Sequence, residues 1–114
     1  MKTVSKIYVF IGQNTSDSID KDWKSAEVKF EVLDGYVGTN GTYTNLNGQI
    51  KPLDIMVFDH DLDNDLLDLL EITEGEGQKP WNKAVFRMDS DSNFDMEFIW
   101  DQEYQDEIDR LNKE

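Results

Sequence analysis

Alternation of apolar and polar residues is clearest between Trp23 and Val32. There Ala26, Val28 and Phe30 are separated by charged residues, which is the period of a strand with one buried and one solvated face. Two later runs repeat this period on either side of the polar loop 89–93, namely Ala84-Phe86-Met88 and Phe94-Met96-Phe98-Trp100. The pattern therefore predicts a first long strand and a C-terminal β-hairpin.

Helical spacing of apolar residues marks two segments and is ambiguous in a third. The apolar stripes are Leu62, Leu66, Leu69 and Leu70 in residues 59–72, and Tyr104, Ile108 and Leu111 in residues 102–112. Asp59 or Asp61 is placed to cap the start of the first of these helices. Residues 3–20 fit a helical face as well as strand alternation at Ile7, Val9 and Ile11, and we favour a helix.

Glycine and asparagine mark the expected turns. Asp34-Gly35, Asn40-Gly41 and Asn47-Gly48 predict three turns, with one short strand in residues 41–46 and another from Ile55 to Phe58. The order of elements is helix, strands, helix, hairpin, helix. It predicts an α+β fold in a single domain, residues 1–114, with an antiparallel sheet of about four to six strands and helices packed on one face.

Composition indicates a folded protein without disulfide or thiolate chemistry. The 114 residues include three Trp and six Phe, whereas disordered acidic chains are poor in both. Cysteine is absent, which excludes disulfides, zinc-thiolate sites and cysteine nucleophiles. The apolar run from Ile7 to Ile11 is too short for a signal peptide or a membrane span. We therefore expect a soluble protein in the cytoplasm that does not bind membranes.

Charge is unevenly distributed along the chain. Residues 1–58 carry seven acidic and six basic side chains, a net charge of −1, whereas residues 59–114 carry eighteen and five, a net charge of −13. Such a negative surface repels nucleic acid and attracts basic proteins or cations. High acidity also keeps proteins soluble, so charge by itself leaves two interpretations open.

Candidate chemistry is sparse. His60 is the single histidine, and no serine lies in a nucleophile-elbow sequence, so we expect His60 to be a capping or solvated residue. Asp89-x-Asp91-x-Asn93 and Asp59-x-Asp61-x-Asp63 each match the start of a calcium loop, but both lack its later glycine and glutamate. A hairpin loop and a helix cap are the preferred interpretations. We expect no catalytic residue, no metal and no cofactor.

The last strand carries the main candidate site. If Phe94, Met96, Phe98 and Trp100 point into the core, an acidic set with one apolar member projects from the other face: Asp95, Glu97, Ile99 and Asp101. Neighbouring carboxylates repel each other, and an apolar residue among charges is typical of an interface. A second candidate set lies at the predicted helix start: Asp59, Asp61 and Asp63.

Residues 79–86 (KPWNKAVF) and 91–101 (DSNFDMEFIWD) resemble the C-terminal hairpin of the YezG-like immunity proteins. That family's pattern is a Trp-led strand, a short turn and an aromatic strand ending in Tyr or Trp followed by Asp. Residues 19–26 and 108–111 also resemble family segments, and this likeness supports a helix in residues 3–20. The chain is short for the group, and it has Ser92-Asn93 where a glycine is common.

The resemblance implies a function in toxin immunity. Such proteins neutralise nuclease-type toxins of bacterial polymorphic toxin systems, delivered by secretion or cell contact. We therefore expect a non-enzymatic protein that binds a basic cognate toxin and blocks its active site or substrate surface. Two alternatives stay open: an acidic regulatory module or nucleic-acid mimic that captures another basic protein, and a small carboxylate-dependent hydrolase. Oligomeric state is open too. Replacing Glu97 and Asp101 by lysine is expected to preserve the fold and abolish toxin binding.

Overall fold

A five-stranded antiparallel sheet organises the molecule. The computed structural model describes residues 2–113, which form helices α1 (Val4–Asp17), α2 (Asp61–Gly75) and α3 (Gln102–Asn112) and strands β1 (Trp23–Leu33), β2 (Tyr36–Asn45), β3 (Ile50–Pro52), β4 (Lys83–Asp89) and β5 (Phe94–Ile99). The strand order is β3-β2-β1-β4-β5. The predicted α+β class and order of elements are confirmed, including the helix expected in residues 3–20.

One face of the sheet, the helix-covered face, forms the core. Its strand residues are Ala26, Val28 and Phe30 of β1, Ala84, Phe86 and Met88 of β4, and Met96 and Phe98 of β5, with the half-exposed Phe94 at the margin of this face. Helix α1 contributes Ile7 and Ile11 to the same cluster, and α2 contributes Leu62, Leu66 and Leu69. The helical stripes and the strand alternation therefore meet at one apolar layer, as the sequence periods predict.

The opposite face, the open face, carries the other half of each alternation. Its members are Glu27, Lys29 and Glu31 of β1, Lys83, Val85 and Arg87 of β4, and Asp95, Glu97 and Ile99 of β5. Helix α3 lies at one end of this face, where the Nζ atom of Lys83 is 4.6 Å from the centre of the Tyr104 ring. The Tyr104 hydroxyl donates a hydrogen bond to the carbonyl of Val32. Helices α1 and α2 thus share one face, and α3 contacts the other.

Two of the three predicted turns are correct. Asp34 and Gly35 both have positive φ, 43° and 87°, as a two-residue turn between β1 and β2 requires. Gly48 also has positive φ, at the turn between β2 and β3. The turn predicted at Asn40-Gly41 is wrong, because both residues lie inside β2. A Cβ atom on Gly41 would lie 2.7 Å from Leu53 Cδ1, so this glycine permits close packing within the strand.

The strand predicted from Ile55 to Phe58 is also wrong. Residues Ile55–Val57 form a short 3-10 helix, and the Asp54 side chain accepts a hydrogen bond from the Met56 amide at its start. Aspartate competes for nearby backbone amides in this way, which turns the chain where β-branched residues alone favour a strand. The segment leads directly into α2.

Candidate functional site

A concavity of about 550 Å³ lies on the open face, near the β4–β5 hairpin. Strands β1, β2, β4 and β5 all contribute to its wall, which includes Glu27, Thr42, Thr44, Ile50, Arg87 and Asp95. Ile50, in the edge strand β3, is 72% exposed at its rim. Hydrogen-bonded strands position these side chains, so the surface is fixed by the sheet register and not by a loop.

Arg87 is the centre of this concavity. Its Nε atom lies 3.1 Å from a Glu27 carboxylate oxygen, and its Nη1 atom lies 3.1 Å from Glu97 and 3.7 Å from Asp95. The register explains the cluster, because Arg87 is directly opposite Glu27 on β1 and Asp95 on β5. Hydrogen bonds to Glu97 and then to Glu27 raise the pKa of Arg87. Three carboxylates surround the guanidinium, and Lys29 Nζ lies 3.6 Å from Glu27, so these five side chains carry a net charge of −1.

Asp89 borders the concavity and closes the hairpin loop. Its carboxylate accepts hydrogen bonds from the amides of Asp91 and Asn93 and from the Asn93 side chain. The side-chain bond from Asn93 and then the backbone bonds lower the pKa of Asp89. Ser92 takes a left-handed conformation in the same loop, with φ of 70°. The hairpin interpretation of this Asp-x-Asp-x-Asn sequence is therefore confirmed.

The structure places the predicted β5 residues on the open face, as the alternation requires. The side chains of Asp95 and Glu97 are 68% and 50% exposed, and both contact Arg87. Ile99 is partly buried and is paired with Lys83 on β4. The expected mutual repulsion of these carboxylates is offset, because Arg87 lies within salt-bridge distance of both. Asp95 and Glu97 form the accessible part of the predicted set.

Asp101 has a structural role that sets it apart from the rest of this set. Its Oδ1 atom accepts a hydrogen bond from the Tyr104 amide and caps α3, while Oδ2 lies 2.9 Å from Lys83 Nζ. The buried Asn82 side chain also bonds both the amide and the carbonyl of Asp101. The hydrogen bond from Lys83 and then the one from Tyr104 lower the pKa of Asp101. Replacing Asp101 by lysine removes this cap and this ion pair, so the double variant would change structural contacts as well as surface charge, and Asp95 with Glu97 is the better pair for testing binding.

The second predicted set lies on the other side of the sheet. Asp59 accepts a hydrogen bond from the amide of Asp61, the first residue of α2, but the N-cap position itself is occupied by His60 and not by Asp59 or Asp61. Asp59 and Asp63 border a concavity of about 240 Å³ beside Val37, whereas Asp61 lies beside Lys2 and Lys6. Because α2 packs on the helix-covered face, the structure does not bring these carboxylates together with Asp95 and Glu97.

His60 and the two calcium-like sequences do not form a reactive cluster. His60 immediately precedes α2 and is exposed, and its side chain makes no capping hydrogen bond. Within residues 2–113, no group of three or more His, Asp or Glu side chains is arranged to hold a metal ion. Asp59 and Asp89 instead bond to backbone amides that follow them in sequence, as short acidic side chains do in turns and caps.

Sequence reasoning missed the basic centre of the site. Arg87 and Glu27 were not among the predicted residues, although the signal was present. The four-residue hairpin loop 90–93 sets Arg87 opposite Asp95, and strand alternation then places both on the same face. Thr42, Thr44 and Ile50 gave no comparable signal, because their positions depend on the path of the chain through β2 and β3.

No model of a known protein family matches this chain, and no curated protein matches it significantly. None of the helices in the described part of the chain has the length and apolarity needed to cross a membrane. The resemblance to YezG-like immunity proteins therefore stays a prediction from sequence.

Proposed function

We propose that this protein binds and neutralises a basic bacterial toxin, of the nuclease type, as the YezG-like immunity proteins do. The observation that carries the proposal is the open-face concavity, whose charged lining residues are three carboxylates and one cation on a hydrogen-bonded sheet: Glu27, Asp89, Asp95 and Arg87. A surface of this shape and sign is complementary to a convex, positively charged protein surface. The protein would act by occupying its partner and would perform no chemistry.

The charge of the whole molecule supports a basic partner. Helix α2 contains six acidic residues and no basic one: Asp61, Asp63, Asp65, Asp68, Glu71 and Glu74. The net charge of the chain is −14. A nuclease must hold a polyanion and is therefore typically basic, and an acidic inhibitor competes for the same surface. Long-range attraction also speeds capture, which matters for a toxin inside its producer.

The pKa shifts of two groups that line the concavity favour a role in binding over a role in catalysis. General acid–base catalysis works best with a pKa near the operating pH. In this concavity the pKa of Asp89 is lowered and that of Arg87 is raised, so both shifts move away from neutrality. These groups keep fixed charges at pH 7, which suits electrostatic docking. The carboxylate-dependent hydrolase is accordingly the weaker candidate.

A rescue assay tests the proposal. The protein encoded immediately upstream, which the proposal identifies as the toxin, is expressed in bacteria with and without this protein, and growth and co-purification are measured. We expect the wild-type protein to restore growth and to co-purify with the toxin domain. The variant Asp95→Lys with Glu97→Lys should do neither, since it reverses the charge of the open face.

A matched variant separates the surface from total charge. Glu71→Lys with Glu74→Lys makes the same change in net charge on exposed positions of α2. We expect this variant to rescue growth nearly as well as the wild type, because α2 would contribute long-range attraction only, whereas the open face would make the contact. Equal loss in both variants, or no rescue by the wild-type protein, would contradict the proposal. Capture of a basic protein without toxicity would instead support the acidic regulatory module.

A further inference from the structure

Strand β5 forms an edge of the sheet with unused main-chain hydrogen-bonding groups. The Asp89 amide donates to the Asn93 carbonyl, which makes these residues a hydrogen-bonded pair at the hairpin end. In an antiparallel ladder such pairs recur every two residues, so Asp95 and Glu97 bond to β4 and the groups of Met96 and Phe98 point outward. No other part of residues 2–113 supplies hydrogen bonds to those outward groups.

The two edges of the sheet differ in their capacity to accept another strand. On the other side, β3 covers only Thr42–Thr44 of β2 and ends in Pro52, which has no amide hydrogen to donate, and the start of β2 lies beside the 3-10 helix Ile55–Val57. The β5 edge is six residues long and contains no proline. Natural proteins block exposed edges with short strands and proline, and β3 has both features whereas β5 has neither.

Side chains on the two sides of the β5 edge have opposite character. Asp95 and Glu97 project on the open face, next to Arg87. On the helix-covered side the half-exposed Phe94 ring stacks on Phe86 and meets Tyr8 edge to face. An apolar groove of about 260 Å³ adjoins Phe94 between α1 and the hairpin. A strand added here would meet carboxylates on one side and apolar surface on the other.

We propose that β5 accepts an extended segment of the partner as an additional strand, in which lysine or arginine alternates with apolar residues. The basic side chains would lie opposite Asp95 and Glu97, and the apolar ones would lie beside Phe94 and its groove. Main-chain bonds to Met96 and Phe98 would supply affinity, and the alternation would supply specificity. The identity of the occupant as part of a basic protein rests on the proposed function.

A second copy of this chain is the less suitable occupant. Pairing two β5 strands would place the acidic side chains of one copy beside those of the other, and like charges on neighbouring strands are destabilising. The Arg87 guanidinium already contacts three carboxylates of its own chain, which outnumber it, and a basic strand would neutralise the remaining negative charge at Asp95 and Glu97. Self-association through β5 is therefore an outcome against the proposal.

A synthetic peptide tests the inference without the toxin. The probe is a seven-residue peptide, Thr-Lys-Val-Lys-Val-Lys-Thr with blocked ends, and the control has the same composition with the three lysines adjacent. We expect the alternating peptide to slow amide exchange at Met96 and Phe98 and to bind about tenfold more tightly than the control, as two cross-strand ion pairs would allow. Equal affinities, no slowing, or no binding of the alternating peptide would overturn the proposal.

Two variants locate the binding to the edge. Met96→Pro removes an amide hydrogen that points away from β4 and should abolish binding of the alternating peptide. Because Met96 packs against the core and proline endangers the fold, Asp95→Lys with Glu97→Lys is the second variant and should also abolish binding. Glu71→Lys with Glu74→Lys should bind within about twofold of wild type, since both side chains are exposed on α2 and the attraction of exposed charges is screened by salt. Equal loss in this control would indicate nonspecific attraction and overturn the proposal.

The peptide experiment and the rescue assay test different proposals, so a negative result in one does not decide the other. Toxin rescue without peptide binding would overturn strand addition at β5 and leave the proposed immunity function in place. Peptide binding at Met96 and Phe98 without toxin rescue would support the edge as a receptor for a basic segment and contradict the immunity function.

Discussion

The two faces of the sheet arise from the same strands and are suited to different tasks. Neighbouring residues of β4 show the contrast: Phe86 is 1% exposed on the helix-covered face, while the Arg87 side chain is 44% exposed on the open face. Burial of large apolar side chains stabilises a fold by about 2–3 kcal/mol each. Exposed ion pairs contribute little to stability but define charge and shape. Stability and recognition are thereby separated within one strand.

The separation has a consequence for mutational analysis. Changes on the open face should alter partner binding with little effect on folding, whereas changes on the helix-covered face should do the reverse. Asp101 and Val85 mark where this division is incomplete. Asp101 caps α3, and Val85 is 7% exposed although it lies on the open face between Lys29 and Glu97 in register.

The largest expected effect comes from the helix-covered face. Phe86→Ala removes a ring that contacts the core cluster and stacks on Phe94, so we expect the free energy of unfolding to fall by about 3–5 kcal/mol. Ile50→Ala on the open side should change it by less than about 0.5 kcal/mol, as is usual for exposed positions. Urea unfolding followed by circular dichroism measures both values. Similar losses in the two variants would contradict the division between the faces.

An ion pair on the helix-covered side should contribute more to the free energy of unfolding than the ion pairs on the open face. The Asp65 carboxylate is buried on α2 and forms an ion pair with Lys2, in which Lys2 Nζ lies 2.7 Å from Asp65 Oδ2. Lys2→Ala should lower the free energy of unfolding by about 1–3 kcal/mol, because a buried carboxylate then loses its charged partner. The Lys2 side chain is 38% exposed, which keeps the effect below that of a fully buried pair.

The matched control for this pair is Lys51→Ala, which removes the same charge from an exposed position of β3. Its effect on urea unfolding should be within about 0.5 kcal/mol of zero. In an Asp65→Asn background, Lys2→Ala should lose most of its effect. Equal effects of Lys2→Ala and Lys51→Ala would show that the buried carboxylate does not depend on Lys2.

The link between Asp101 and Lys83 should appear as pH-dependent stability. A folded-state pKa below the unfolded value stabilises the protein above the unfolded pKa, about 3.9 for aspartate, and the contribution is lost as pH falls through the folded pKa. Asp101→Asn retains a good capping side chain but cannot carry charge. We therefore expect the urea midpoint of Asp101→Asn to be lower than that of the wild type at about pH 7, and the two midpoints to converge at about pH 2–3.

A double-mutant cycle identifies the cause of that convergence. Lys83→Met removes the principal partner that lowers the pKa of Asp101. In the Lys83→Met background, Asp101→Asn should show a much smaller change with pH. A difference between wild type and Asp101→Asn that grows as the pH falls would have the wrong sign for a depressed carboxyl pKa and would contradict the assignment.

The helix-covered face was predictable because its signal is repeated along the chain. In the alternation from Ala26 to Phe30 and in the leucine stripe of α2, several residues indicate the same buried side. A misleading residue at one position therefore does not change the predicted element. Errors occurred where one residue decides the local path. Gly41 lies within β2, where the absence of a side chain leaves room for Leu53. Asp54 accepts the hydrogen bond that starts the 3-10 helix. Both depend on contacts or local bonds that periodicity does not encode.

The candidate site was only partly predictable for the same reason. Asp95 and Glu97 followed from alternation within one strand. Grouping them with Asp59 and Asp63 followed from their position in the chain, and the fold places α2 on the other side of the sheet. The involvement of Arg87 depends on cross-strand register, which the hairpin loop determines and a list of acidic residues does not.

The smallest expected effect on stability tests the open face itself. Arg87→Ala leaves Glu27, Asp95 and Glu97 without their shared cation, so the melting temperature should fall slightly at low salt. The difference from wild type should shrink at about 1 M salt, where the Debye length is about 3 Å. Lys24→Ala, at another exposed cation, should show a smaller shift. The same Arg87→Ala change should strengthen binding of the alternating lysine peptide, because two carboxylates at the β5 edge lose a competing intramolecular partner. A loss of stability comparable to that of Phe86→Ala, or weaker peptide binding, would show that Arg87 belongs to the folding core and not to a recognition surface.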